Sequence, residues 1–333
     1  MKAALIDRYG SNDRVRVADI AVPTLGPTDL LVQVRAASVN PLDTKIREGQ
    51  LKVLLKYRFP LVLGNDLSGA VAEVGERVTR FKKGDAVYAR LDKDRIGAFA
   101  EYAVVSEGAA ALKPANVTFE EAASLPLVAL TAWQALVEIG KLGAKQRVLI
   151  HAGSGGVGSL AIQLARHLGA TVFTTVGQRN VELVKRLGAD VPIDYRSARF
   201  EDVAKNCDVV LDSAGGDTLV RSFACVKPGG VVVSIGSTPS AAFARSWGLN
   251  PLIVLAIGMM SRKAMTAARA HNARYEYLFM RADGDQLSAI ARLVDSGAIK
   301  PLVEKVFPLE QVRDALAYSG SGRATGKVVI KVA

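Results

Sequence analysis

Residues 147–158 read RVLIHAGSGGVG, an apolar run ending in Gly153-Ser154-Gly155-Gly156-Val157-Gly158. No other stretch restricts the fold of this chain as tightly. Residues 147–151 have the Val/Leu/Ile character of a buried parallel strand. Residues 159–168 continue as an apolar-faced helix that Gly169 stops. A G-x-G-x-x-G turn between strand and helix lets backbone N–H groups close on a pyrophosphate, while the helix N-terminus favours its negative charge. The glycines alone would suit any glycine-rich loop. The strand before them and the helix after them make the segment a dinucleotide-binding turn, with Gly153, Gly155, Gly156, Val157 and Gly158 at the phosphates.

The next strand, 171–176, refines the expectation. An NAD site places Asp or Glu at its end, roughly 20 residues past the glycines, to accept the ribose hydroxyls. Here the chain reads Thr174-Thr175-Val176-Gly177-Gln178-Arg179-Asn180, with no acid. Hydroxyls such as Thr175 and the Arg179 guanidinium suit a 2′-phosphate. The alternative is that Arg179 decorates a helix start, where a cation is slightly unfavourable. The expected cofactor is NADPH.

With 333 residues the chain can support two cores. Half of its residues are hydrophobic and 23% are charged, an ordinary globular composition. Cys207 and Cys225 are the only cysteines and offer no disulfide framework, which suits a reducing compartment. The N-terminal MKAALIDRYG has no signal-peptide core, and the apolar run Pro251–Met260 is too short to span a bilayer. The expectation is a soluble, cytoplasmic protein.

The net charge of +11 is concentrated at residues 45–58 and 245–281. Such patches attract polyanions, so nucleic acid and membrane surfaces come into view. Aromatics make up only 6% of the chain, and no nucleic-acid-binding motif is present. Solubility and steering of an anionic cofactor are the plainer reading, and nucleic acid is not the expected partner.

Residues 1–118 are strand-rich and punctuated by Gly and Pro, with strands expected at 2–6, 14–20, 29–37, 69–74, 86–89, 97–105 and 110–112. That spacing suggests a small β-barrel-like domain. From residue 119 the texture changes: Thr118 is a plausible N-cap, and 131–139 reads as a further helix. Strands at 148–151, 172–176, 191–194, 208–212 and 230–235 then alternate with helices, which argues a doubly wound parallel sheet. Residues 275–280 offer a sixth strand. A helix (284–296), a strand (305–307), a helix (309–318) and a strand (327–332) follow, and these are expected to return to the first domain. The expected fold class is therefore α/β, with domains at 1–118 (completed by 298–333) and 119–297.

Several motifs occur in order: Ser38-Val39-Asn40-Pro41-Leu42-Asp43-Thr44-Lys45, Leu63-Gly64-Asn65-Asp66-Leu67-Ser68-Gly69, Gly97-Ala98-Phe99-Ala100-Glu101-Tyr102, Leu130-Thr131-Ala132-Trp133, the glycine turn, Asp194-Tyr195-Arg196, Asp212-Ser213-Ala214-Gly215-Gly216 and Arg323-Ala324-Thr325-Gly326-Lys327. With them the chain resembles the zinc-independent medium-chain dehydrogenase/reductase superfamily, in its quinone oxidoreductase and alkenal/enone reductase branch. It is similar as well to reticulon-4-interacting-protein-like reductases, through Tyr275-Glu276-Tyr277-Leu278-Phe279-Met280. The resemblance spans essentially the whole chain. It implies a GroES-like N-terminal β-barrel catalytic domain, a Rossmann domain, a cofactor in the cleft between them, and a homodimer.

The resemblance carries cofactor contact onto Asn40, Pro41, Leu42, Asp43, Thr44 and Lys45, and onto Thr131, Gly156 and Val157. It further implies Arg179 or Asn180, then Tyr195, Ser213, Ile235, Gly236, Ser237, Thr238, Phe279 and Arg323. Tyr195 and Arg323 would flank the 2′-phosphate; the plain alternative is a surface aromatic and a surface charge. Relatives place Lys where Asn180 stands, so the cation is shifted to Arg179. Ser213 follows the fourth parallel strand, where ligands of open α/β sheets sit, although turns also favour serine. Asn40 and Lys45 are expected in a loop facing the ribose, nicotinamide or substrate carbonyl, with Lys45 as proton donor or oxyanion stabiliser. The competing reading is a local Asp43–Lys45 salt bridge that shapes the loop.

Alcohol dehydrogenases of the wider superfamily hold zinc through Cys and a Gly-His-Glu motif. The corresponding places here are Ser38-Val39-Asn40 and Gly64-Asn65-Asp66. His151, His167 and His271 are the only histidines and have no ligand-spaced partners, so no metal is expected. Without a Lewis acid, plain alcohols are poor substrates. Quinones and α,β-unsaturated carbonyl compounds can delocalise charge after hydride arrives and need mainly orientation, donors and a dry pocket. An NADPH-dependent reductase of such compounds is the leading expectation. An enoyl thioester reductase served by the 45–58 patch and a nucleic-acid-binding protein are the alternatives. Trp247 and the 251–260 run read as acceptor pocket, dimer contact or core.

Overall fold

The computed structural model describes residues 1–236 and 239–332. Ser237 and Thr238, two of the expected cofactor contacts, therefore lie outside the described residues. Contacts divide the chain into two compact units: Met1–Leu130 with Arg281–Ala333, and Thr131–Met280.

The first unit opens with β1 (Lys2–Ile6), β2 (Arg16–Asp19), β3 (Asp29–Val39), helix α1 (Pro41–Arg47), β4 (Leu61–Val62), β5 (Asp66–Val74), β6 (Ala86–Arg90), β7 (Tyr102–Ser106) and β8 (Ala110–Leu112). β3 is buried along nearly its whole length because strands or helices cover it on all sides. α2 (Phe119–Ala123) begins at Thr118, as the sequence suggested. Glu121 N donates to Thr118 Oγ1 at 3.1 Å and Thr118 N donates to the Glu121 carboxylate at 2.8 Å, a reciprocal capping box. α3 (Pro126–Trp133) then passes into a π-helical segment, Gln134–Ile139, so the helix expected at 131–139 starts earlier and loosens within its own length.

The second unit is a six-stranded parallel sheet in the order β11-β10-β9-β12-β13-β14. Its strands are β9 (Arg147–Ile150), β10 (Thr171–Val176), β11 (Val191–Asp194), β12 (Cys207–Asp212), β13 (Val226–Ser234) and β14 (Arg274–Tyr277). The helices are α4 (Gly156–His167), α5 (Val181–Leu187), α6 (Phe200–Val203), α7 (Gly216–Ser222), α8 (Ala241–Ser246), α9 (Pro251–Met260) and α10 (Arg262–Ala270). Strand order reverses between β9 and β12, the switch point above which ligands of such sheets bind. Leu149, Phe173, Val210, Phe223 and Val232 fill one side of the core together with Cys207 and Cys225. Burial pushes both thiols up to about 12.

The chain then returns to the first unit through α11 (Gly284–Asp295), β15 (Val303–Pro308), α12 (Val312–Gly320) and β16 (Lys327–Lys331). β16 pairs antiparallel with β3, setting Val328 opposite Val39, and completes a sheet of order β15-β16-β3-β5-β6-β8 with β7 also on β3. The unit boundaries differ from the expected 118/119 and 297/298. α2 packs on β3 and β5. α11 is tied to the first unit by the Tyr88 hydroxyl donating to Leu287 O at 2.6 Å and Asn116 Nδ2 donating to Val294 O at 3.1 Å. Among the described residues no single helix is long and apolar enough to cross a membrane.

Candidate functional site

The glycine turn follows β9 at the carboxyl end of the sheet. Ala152, at φ +53°, swings the chain into the left-handed region, and α4 starts at Gly156, inside the turn rather than after it. A Cβ on Gly153 would lie 2.1 Å from Thr174 Oγ1, and one on Gly158 would lie 2.3 Å from the Ala152 carbonyl oxygen. These two glycines are required by packing. A Cβ on Gly155 would meet nothing nearer than 3.3 Å. Its lack of a side chain keeps the outer side of the turn open, where the first N–H groups of α4 have no carbonyl partner in the helix. The cradle fits a pyrophosphate.

Thr175 departs from its expected place. It is buried, and its Oγ1 accepts from Ala152 N at 3.2 Å and contacts His151 Nδ1 at 3.0 Å. His151 Nε2 lies 2.9 Å from Ser222 Oγ, whose own proton goes to Thr218 O. His151 therefore donates from Nε2 and accepts at Nδ1 from Thr175. Burial pulls its pKa down to about 4, so the ring is neutral. Thr175 buttresses the turn from inside and has no hydroxyl left for a phosphate.

Arg179 sits on an exposed 3-10 turn, Gln178–Asn180, and Asn180 Nδ2 donates to Ser154 Oγ at 3.0 Å. That bond joins the end of β10 to the glycine turn. Tyr195 is 57% exposed and lies beside Gly177, with the Arg196 guanidinium 5.7 Å from its ring centre. Ser213 donates to His151 O at 3.0 Å, and a Cβ on Gly236 would lie 2.5 Å from Ser213 O. Ile235 N donates to Asp212 O. The second unit thus gathers the glycine turn, Asn180, Ser213, Ile235 and Gly236 at the carboxyl ends of its strands. Thr131 is buried in α3, and Phe279 packs edge-on against Trp247 at 4.9 Å.

In the first unit, residues 41–47 are a helix rather than the expected loop. Pro41 occupies its first turn, and Asn40 N donates to Asp43 Oδ2 at 2.7 Å in a capping box. Asp43 also accepts from Asn65 Nδ2 at 2.7 Å. It points inward and forms no salt bridge with Lys45, which is half-buried and makes no ion pair among the described residues. Asn40 is 1% exposed; its Nδ2 donates to Asp66 Oδ2 at 2.9 Å and its Oδ1 accepts from Lys327 Nζ. The side chain expected to face a ligand is thus committed to the interior. Pro41 is exposed, and Leu42 and Thr44 are half-buried. Arg323 is exposed in the turn before β16.

Lys327 is the residue that sequence reasoning missed. Its Nζ donates to Val39 O at 2.9 Å and lies 3.9 Å from Asp66 Oδ2. Asp66 further accepts from Ser38 Oγ at 2.9 Å and, through Oδ1, from Leu127 N at 3.0 Å. Burial raises the Asp66 pKa and lowers that of Lys327, and their mutual attraction opposes both shifts. Burial carries Asp43 up to about 6. The available signal was a lysine opening an otherwise apolar final strand.

This donor set does not suit zinc, which takes four N, S or O ligands in a tetrahedron. No group of three or more His, Cys, Asp and Glu side chains could hold a metal ion among the described residues. Both Asp66 oxygens already accept hydrogen bonds, and an ammonium stands where a second cation would be repelled.

A parallel sheet with a pyrophosphate cradle at its switch point, joined to a GroES-like unit, defines a dinucleotide-dependent dehydrogenase or reductase. Residues 26–115 match the alcohol dehydrogenase GroES-like domain, and residues 187–330 match the zinc-binding dehydrogenase domain. The chain is 37% identical to human NAD(P)H oxidoreductase RTN4IP1, mitochondrial, covering all of this chain and 89% of that protein. It is 37% identical to 2-methylene-furan-3-one reductase of Solanum lycopersicum, over 99% of this chain and 79% of that one. The solved quinone oxidoreductase of Coxiella burnetii is 32% identical, with a TM-score of 0.87 over 100% of this chain and 99% of its own. The chain belongs to the medium-chain dehydrogenase/reductase family, in its quinone oxidoreductase branch.

Proposed function

We propose that this protein is an NADPH-dependent reductase of quinones or α,β-unsaturated carbonyl compounds that works without zinc. The observation that carries this reading is the Lys327–Asp66–Asn40 network, which fills with an ammonium and amides the place corresponding to a metal site in zinc-dependent members. Acceptors that delocalise charge onto their own oxygen can dispense with a Lewis acid. NADPH, once held at the glycine turn, supplies the hydride.

The chain's own residues bind, orient and stabilise. Gly156 and Val157 present backbone N–H groups to the pyrophosphate, and Gly155, whose own N–H goes to Ala152 O, leaves room beside them. Arg179 and Asn180, at an acid-free strand end, take the 2′-phosphate, with Tyr195 beside them. Lys45 stabilises the oxyanion or returns the proton, and Asn40 acts by holding the start of α1. The reductase is proposed to be cytoplasmic and homodimeric, with no nucleic-acid partner. Relatives named quinone oxidoreductase and NADPH-dependent alkenal/one oxidoreductase support this reading, the latter 35% identical.

The test is NADPH oxidation followed across quinones, alkenals, cyclic enones and enoyl thioesters, with NADH as control. Turnover of a neutral quinone or enone with NADPH is expected. Turnover of thioesters alone would favour the anionic-substrate alternative, and a clear NADH preference would refute the assignment of Arg179. A Lys45→Met variant with unchanged kcat and KM would remove Lys45 from the catalytic set.

A further inference from the structure

A helix that is apolar all round belongs in a core or a membrane. α9 is not in the core. Leu252, Leu255, Met259 and Met260 are 76, 62, 64 and 69% exposed, and Val254 is the only buried residue of the helix. With the exposed Ala256, these side chains fall at positions 252, 255, 256, 259 and 260. That is the i, i+3, i+4, i+7, i+8 spacing of a single face. The face that should be polar in a water-facing helix is a greasy stripe.

The surroundings of the stripe are cationic. Arg245 on α8 and Arg262, Lys263 and Arg269 on α10 are exposed, and none makes an ion pair among the described residues. No Asp or Glu stands between Asp217 and Glu276 in the sequence. Arg245, Arg262 and Arg269 converge on one cavity of about 850 Å³, to which Ser261 and Thr266 add hydroxyls and Glu276 the only acid. Arg245 and Arg262 also border a second cavity of about 650 Å³, floored by apolar residues such as Leu249, Val254, Leu255 and Met259. Guanidiniums that suit phosphate oxygens thus adjoin a trough that suits hydrocarbon.

We propose that α8, α9 and α10 form a docking surface for an anionic phospholipid bilayer. The α9 stripe lies in the plane of the lipid–water interface, and the arginine-lined cavity takes headgroup phosphates. A second copy of the chain is the other occupant such a stripe could have. A two-fold contact sets a patch against itself, which would bring these unpaired cations against their own counterparts. An anionic lipid surface matches both halves of the patch, apolar and charged. Docking requires nothing of the acceptor or the reaction.

The test is co-sedimentation of the full chain with phosphatidylcholine vesicles and with phosphatidylcholine–phosphatidylglycerol vesicles. Binding to the anionic vesicles alone is expected, weakening as salt is added. Each basic residue near such a surface is worth roughly fivefold in partitioning. Arg262→Glu with Arg269→Glu, and separately Leu255→Glu with Met259→Glu, should therefore each lower the vesicle-bound partition at least about tenfold. NADPH binding and the thermal midpoint should stay at the parent's values, because these side chains are exposed. No sedimentation with anionic vesicles, or equal sedimentation of the charge-reversed variant, would overturn the proposal. So would a parent that ignores vesicles while Leu255→Glu with Met259→Glu turns a dimer into a monomer in equilibrium sedimentation.

Discussion

The Lys327 ammonium lies 3.9 Å from Asp66 Oδ2, and the two side chains are only 7% and 0% exposed. An ion pair in an interior adds little net stability, but removing one partner strands the other in a medium that cannot solvate it. Lys327→Met is expected to lower the unfolding free energy by about 3–5 kcal/mol. Adding Asp66→Asn should return part of that loss, since the stranded charge is gone. Urea unfolding of both variants checks this; a single variant within 1 kcal/mol of the parent would show that the charges are not stranded.

Two buried groups titrate with opposite consequences. Asp43 is raised from 3.8 to about 6 by burial, so between those values the native chain keeps a proton that the unfolded chain has released. Its contribution is fully present below pH 3.8 and is lost as pH rises through about 6. His151 is lowered from 6.5 to about 4 by burial, so its contribution is present above 6.5 and is lost as pH falls towards 4. The slopes oppose one another where the windows overlap. Asp43→Asn should leave the His151 slope unopposed, giving a steeper loss on acidification below about pH 6 by up to about 1.4 kcal/mol per pH unit. Parallel stability profiles for parent and variant would show that Asp43 does not titrate there.

Gly158→Ala would set a methyl 2.3 Å from the Ala152 carbonyl oxygen, a backbone atom that cannot swing aside. This variant should have a lower thermal midpoint and lose NADPH binding. Gly155→Ala, whose methyl would press 3.3 Å from the same oxygen, should cost less stability than Gly158→Ala yet bind NADPH more weakly than the parent. Titration calorimetry separates the two. Unchanged affinity in Gly155→Ala would mean that no ligand approaches the open side of the turn.

Arg179→Ala should raise KM for NADPH roughly tenfold to a hundredfold, the worth of a charged hydrogen bond, and leave KM for NADH near the parent's value. Equal effects on both cofactors would place the guanidinium away from the 2′-phosphate.

The parts of the fold that were legible in the sequence are those written locally. The β9 run, its glycine turn and α4 each carry their own signal, as do the apolar strands β10, β12 and β13. Thr175 misled for a related reason. A strand covered on both faces has no outward side, so Thr174 and Thr175 are both buried and alternation says nothing of their direction. Asn40 and Asp43 were read as loop although Pro41 and an acid three residues past Asn40 are helix-start signals. α2 was visible as a capped helix, but nothing in a capping box says which sheet the helix will cover. Lys327 was beyond local reading, because its burial depends on β16 pairing with β3 across most of the chain.

Cys207 and Cys225 lie in the core of the second unit, their thiols held up to about 12 by burial. The thiolate is the form that attacks an electrophilic carbon, and at neutral pH these two residues scarcely possess it. The acceptors proposed for this reductase are thiol-seeking electrophiles. An enzyme handling them in bulk is exposed to slow alkylation by its own substrates, and this chain keeps its only two thiols where such compounds neither reach nor find a nucleophile. Prolonged incubation with an alkenal should leave the cysteines of the folded protein unmodified by peptide mass analysis, while the urea-unfolded chain gains adducts at both.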